Sequence, residues 1–136
     1  MAGSNQKEET LCSISFLKKR PDISHEQFYH HWQHVHGPLV KPWMEKHGFL
    51  SYTQVHSTPF LNSNAAPVGP EIASGNMLHD YDGAAVIEVH SFEQFSAAFQ
   101  DDYYKNVIAE DEKKFLDKTA GVMRTKGEAK KIVRVL

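Results

Sequence analysis

The chain has 136 residues, 40% of them hydrophobic and 11% aromatic, enough to build one core. A charged fraction of 24% and a formal net charge of -2 at pH 7 leave no basic surplus for a nucleic-acid partner. The lone cysteine, Cys12, excludes an internal disulfide framework and a Cys-rich zinc site, and no window approaches the roughly 20 apolar residues that span a bilayer.

Residues 1–9 are small and polar, with neither the apolar run of a secretory signal nor an Arg-rich amphipathic stretch, which predicts a flexible start and a cytoplasmic setting. One domain is expected over 10–136. Leu11 to Leu17 (LCSISFL) reads as a first strand, closed by Lys18, Lys19, Arg20 and Pro21. Ser24 then stands three residues before Gln27, the capping-box spacing, and Ile23 with Phe28 forms a hydrophobic staple, so a helix begins here. Its apolar stripe is Phe28, Trp32 and Val35, interrupted at Gly37-Pro38, and a second helical piece runs from Leu39 to Lys46.

Phe49 to His56 alternates as a second strand. Leu50, Tyr52, Gln54 and His56 share one face, which sets a phenol, an amide and an imidazole side by side, as suits the wall of a pocket. The segment Ser57 to Leu78 carries three prolines and no periodicity, and is expected to be a lid or binding loop in which Phe60 and Leu61 close over a flat substrate. Ala84 to Val89 is the third strand. Ser91 with Gln94 repeats the capping-box spacing ahead of a helix with Phe92, Phe95, Ala98 and Phe99, and Tyr104, Ile108, Phe115 and their neighbours supply another helical segment. Gly121 to Arg124 with Lys131 to Leu136 make a last, interrupted strand. The order is β-α-β-β-α-β, the ferredoxin-like arrangement of an α+β fold. Two helices cover one sheet face, so the other calls for a second copy of the chain, a homodimer.

Nine histidines are the compositional oddity, a supply of acids, bases and ligands that titrate near neutral pH. His30 and His34 lie one helical turn apart, but no third ligand stands at motif spacing, so no metal and no cofactor is expected. His36 sits at the expected helix break, where a fixed ring can turn over the sheet. His56 ends the strand that carries Tyr52. Trp43, near the break, is placed to face an aromatic ligand. His79, Asp80 and Asp82 precede the third strand at the mouth of the long loop. The run Glu110 to Lys114 reads as a solvated helix face with an i,i+4 pair between its ends, and Cys12 as a small buried hydrophobe.

The segment FLKKRPDISHEQFYHHWQHVHGPLVK (Phe16 to Lys41) resembles the signature of the EthD-like proteins of the dimeric α+β barrel superfamily. The pieces KHGFLSYTQVHST (Lys46 to Thr58), HDYDGAAVIEV (His79 to Val89) and DDYYKNVIAEDEKKFLDKT (Asp101 to Thr119) keep the family's order, whereas VMRTKGEAKKIVRVL (Val122 to Leu136) follows it loosely. The resemblance extends to small fungal decarboxylases and dehydratases that act on aromatic polyketides. It implies a cofactor-independent lyase of secondary metabolism, a homodimer with no nucleic-acid or membrane partner. His36 and His56 are the implied acid-base residues, Tyr52 orients, and Trp43, Phe60, Leu61, His79 and Asp82 contact a small aromatic polyketide. A polyketide cyclase and a non-catalytic ligand-binding accessory protein are the alternatives.

Overall fold

The computed structural model describes residues 10–58 and 81–135. Four strands, β1 (Thr10–Leu17), β2 (Ser51–His56), β3 (Gly83–Val89) and β4 (Met123–Ala129), form one antiparallel sheet in the order β2-β3-β1-β4. The helices α1 (His25–His30), α2 (Gly37–Lys46), α3 (Phe92–Ala98) and α4 (Ala109–Glu112) pack on one face of it. This is the expected α+β, ferredoxin-like order.

The start of α1 is built as the spacing predicts. Ser24 accepts from the Gln27 backbone N–H while the Gln27 side chain accepts from the Ser24 N–H, so both halves of the capping box are closed. At Ser91 only one half forms: Ser91 Oγ caps Gln94 N, but the Gln94 amide donates to the His47 carbonyl instead.

The chain stays helical through Gly37-Pro38, contrary to the expected interruption. Between α1 and α2, His31–His36 is wound as a π-helix, with Gly37 N–H reaching back to the Trp32 carbonyl. The wider turn leads into Pro38, whose missing N–H falls where the π-helical register passes into α2. It also moves the apolar stripe by one residue: Phe28 and Trp32 are buried as expected, but Val35 is 40% exposed and His36 takes the inward place at 5%. A second π-helical stretch, Tyr104–Ile108, precedes α4.

The last strand is continuous over Met123–Ala129 and does not extend over the described residues 131–135, where the expected strand resumed. β4 is an edge strand with polar residues along its length, so pairing with β1, not apolar alternation, defines it. Cys12 is half-buried, not fully so, and faces away from the helices.

Candidate active site

A cavity of about 730 Å³, including its open mouth, lies between the helices and the inner face of the sheet. Its floor runs from Tyr52 on β2 across Ala85 and Ile87 on β3 and Ser15 and Leu17 on β1 to Arg124 on β4. The roof comes from Trp32, His36, Val40, Trp43 and Met44 on one side and Tyr104, Ile108, Glu112 and Phe115 on the other.

His36 is held from behind. Its Nδ1–H donates to Asp111 Oδ2 at 2.8 Å, and His31 Nε2–H donates to the same carboxylate at 3.0 Å. His31 and His36 are five residues apart, roughly 140° around an α-helix. The π turn brings both onto one side, so a single buried carboxylate serves two imidazoles. With Nδ1 occupied, Nε2 is the ring nitrogen left for chemistry. Burial pushes the His36 pKa down, against the upward pull of Asp111 and Glu112, which favours the neutral ring with a free Nε2 lone pair.

Tyr52 is fixed differently. Its phenolic oxygen accepts from Trp32 Nε1–H at 3.2 Å and from Gln54 Nε2–H at 2.9 Å. Both acceptor positions are filled, so the hydroxyl is left as a donor. Burial raises its pKa, outweighing the two hydrogen bonds that favour the phenolate. His56 stands behind this pair and does not line the main cavity. Its Nε2–H donates to Gln54 Oε1 at 2.8 Å, and its ring stacks on Trp32 and Tyr29 at 4.8 and 5.0 Å. Desolvation, and secondarily His34, lowers its pKa. It lines a shallower groove with Gln33, Thr53 and Gln54.

Among the other predicted site residues, Trp43 lines the cavity and donates from Nε1 to the Ala98 carbonyl at 2.8 Å. Asp82 lies away from it, accepting from the Lys19 N–H at 2.9 Å and from His25 Nε2–H at 3.0 Å. Phe60, Leu61, His79 and the expected lid lie outside the described residues, apart from its first residues, Ser57 and Thr58. Among the described residues no group of three or more His, Cys, Asp or Glu is arranged to hold a metal ion.

The reading of 110–114 as a solvated face needs correction. Asp111 is only 3% exposed, Glu112 lines the cavity, and Glu110 pairs with Lys113. The preceding π turn rotates the helix so that two acids face inward. Glu112 accepts from the Tyr104 hydroxyl at 3.3 Å and pairs with Lys118, and burial with the nearby Glu112 charge drives the Tyr104 pKa upward. Asp111, Glu112, Tyr104 and Arg124 are the cavity or support residues that sequence reasoning missed. The Asp-Glu doublet at the end of an aromatic helix was the available signal.

A small α+β domain with a His-Asp pair and a polarised tyrosine in one internal cavity is the class that the fold and site define. Residues 20–119 match the EthD domain, and the chain belongs to that family. It is 32% identical to the dehydratase ustZ of Ustilaginoidea virens over 117 residues, 80% of this chain and 76% of that protein. It is 27% identical to the decarboxylase claH of Passalora fulva, over 79% of this chain and 68% of the relative. An EthD family protein from Bacillus halodurans shares the fold with a TM-score of 0.56 at 15% identity, covering 89% of this chain and 99% of that one.

Proposed function

We propose that the protein is a cofactor-independent lyase of aromatic polyketide metabolism, removing water or carbon dioxide from a small polyketide acid inside the cavity. The observation that carries this reading is the buried His36–Asp111 pair in the wall of the cavity that Tyr52 also lines. The names of the two relatives support a lyase.

For elimination, His36 Nε2 takes a proton from the carbon beside a carbonyl, and the C–H electron pair moves to the carbonyl oxygen as an enolate. The Tyr52 hydroxyl donates to that oxygen, the place where negative charge develops. The pair then forms the new C=C bond as the β C–O bond breaks. The departing hydroxide takes the proton back from His36 Nε2 and leaves as water. Asp111 steadies the transient imidazolium. Loss of carbon dioxide uses the same oxyanion donor, with the C–C pair moving to the carbonyl oxygen and a protonated His36 returning a proton to carbon. The neutral His36 favoured by burial suits elimination first. In this reading His56 is a positioning residue that acts on Tyr52 through Gln54.

The assembly we infer is a homodimer. Ile14, Phe16, Val55, Val86 and Met123 share the sheet face that carries no helix, with Val55 45% and Met123 61% exposed. A second copy would cover this apolar surface.

The test is incubation with carboxylated anthrones and related polyketide acids, followed by mass spectrometry against a no-enzyme control, since such acids also react spontaneously. Accelerated loss of water or carbon dioxide is expected. Ring closure without mass loss would replace the reading with a cyclase, and tight binding without turnover with a carrier.

A further inference from the structure

We propose that Arg124 is an anion subsite that anchors the carboxylate of a flat, elongated substrate at the cavity end opposite Tyr52, and that this carboxylate is retained through the reaction. The inference rests on the lyase reading for the chemistry at His36, but its binding half stands independently.

Arg124 projects from β4 onto the cavity floor, where its Nε–H donates to Ser15 Oγ at 2.8 Å. Ser15 is directly opposite in the β1–β4 register and is itself buried, so it fixes the exposed Arg124 side chain from below. Held at Nε, the guanidinium has two terminal nitrogens without a hydrogen-bond partner among the described residues, and they can form a paired grip on a carboxylate. Among the described residues Arg124 makes no ion pair, whereas Lys118, the other cation lining the cavity, is taken by Glu112.

The spacing sets the ligand's shape. Tyr52 and Arg124 stand on the two outer strands, three interstrand spacings across and two residues along, about 16 Å apart at the backbone. Between them the floor is made of Ala85 and Ile87 on β3 and Ser15 and Leu17 on β1, with Trp43, Ile108 and Phe115 above. The low strip of Ala85 and Ser15 between apolar walls makes a slot for a fused-ring system. An acid at one end would reach Arg124 while a carbonyl at the other meets Tyr52.

Pairing with Arg124 also decides the carboxylate's fate. An ion pair stabilises the carboxylate in the ground state, and that interaction is lost as carbon dioxide, a neutral molecule, departs, so pairing there raises the barrier to decarboxylation. The anchored acid is therefore a spectator, and the reaction at the Tyr52 end is loss of water.

The experiment compares anthraquinone-2-carboxylate with anthraquinone-2-carboxamide, titrated into the wild-type protein, Arg124→Gln and Lys126→Gln at low salt. Lys126 lies on the same strand outside the cavity and controls for net charge. The wild type should prefer the carboxylate by about three- to fivefold, the scale of an ion pair at an exposed guanidinium. Arg124→Gln should lose that preference while binding the carboxamide as before, and Lys126→Gln should keep it. No preference in the wild type, or equal loss in both variants, overturns the subsite. These titrations need no turnover, so an inactive protein that still selects the carboxylate through Arg124 refutes the lyase reading alone. For a carboxylated β-hydroxy ketone, a product that has lost water and kept its carboxylate supports the spectator role, and loss of carbon dioxide from that position overturns it.

Discussion

Asp111 lies 75 residues beyond His36 in the chain, yet its Oδ2 accepts the His36 Nδ1–H at 2.8 Å inside the core. The pair fixes the imidazole tautomer that presents a lone pair at Nε2. In Asp111→Asn the side-chain amide can itself offer N–H to Nδ1, which moves the ring proton to Nε2 and removes the base. We expect kcat to fall by about 10²- to 10⁴-fold, the usual share of general acid–base catalysis, with KM little changed. His36→Gln should fall as far. Steady-state kinetics on both variants, with circular dichroism to verify the fold, provides the check.

The lowered His36 pKa predicts two pH dependences. As a base, His36 works when unprotonated, so kcat/KM should rise with pH through a midpoint below the ordinary histidine value of 6.5 and then level off. Stability follows the same sign. Unfolded histidine takes a proton more readily than buried His36, so the folded state loses stability as pH drops through 6.5 and stops losing it below the depressed value. His56, lowered in the same direction, adds to this. Urea unfolding of the wild type and His36→Gln across the acidic range should give a smaller acid-side loss in the variant.

Tyr52 and His56 separate by mechanism. Tyr52→Phe removes the oxyanion donor and should lower kcat by about 10²- to 10³-fold. It also strands the Trp32 and Gln54 donors, a stability cost of about 1–3 kcal/mol. His56→Ala should lower kcat less and leave the acid limb of the pH profile in place, because His56 reaches the cavity only through Gln54 and Trp32. If His56→Ala abolishes that limb instead, the roles of the two histidines are exchanged.

Gly83 begins β3 under the ring of Trp32. A Cβ there would fall 2.6 Å from Trp32 Cζ3 and 2.7 Å from the Val55 carbonyl oxygen. Gly83→Ala should therefore lower stability by about 1–3 kcal/mol, the cost of overpacking, read by thermal unfolding. Since Trp32 also donates to Tyr52, activity should suffer along with stability.

Val86 is central on the helix-free sheet face, paired with Ile14 on one side and Thr53 on the other. Sedimentation at micromolar concentration should find a dimer for the wild type and a monomer for Val86→Lys. A wild-type monomer would remove the second copy from the picture.

The fold was legible because its signals are local. A capping box at Ser24, period-two alternation in β2 and the element order all follow from near neighbours along the chain. The cavity was half legible: His36, Tyr52 and Trp43 could be picked out, while Asp111 and Arg124 could not. What hid Asp111 is the π-helical register. On a regular helix Val35 points inward and Asp111 and Glu112 outward, and one extra residue per turn reverses both. Arg124 was hidden for a different reason, since only the pairing of β4 with β1 sets it over Ser15.

The saturated oxygen of Tyr52 bears on how the product leaves. With Trp32 and Gln54 occupying it, the phenol can give a hydrogen bond and cannot take another. Where the enone left by elimination tautomerises to an aromatic ring, the substrate's carbonyl becomes a hydroxyl, a poorer acceptor whose own proton would find no partner at Tyr52. In the proposed reaction the group that grips the reactant would thus be mismatched to what it becomes, which favours release.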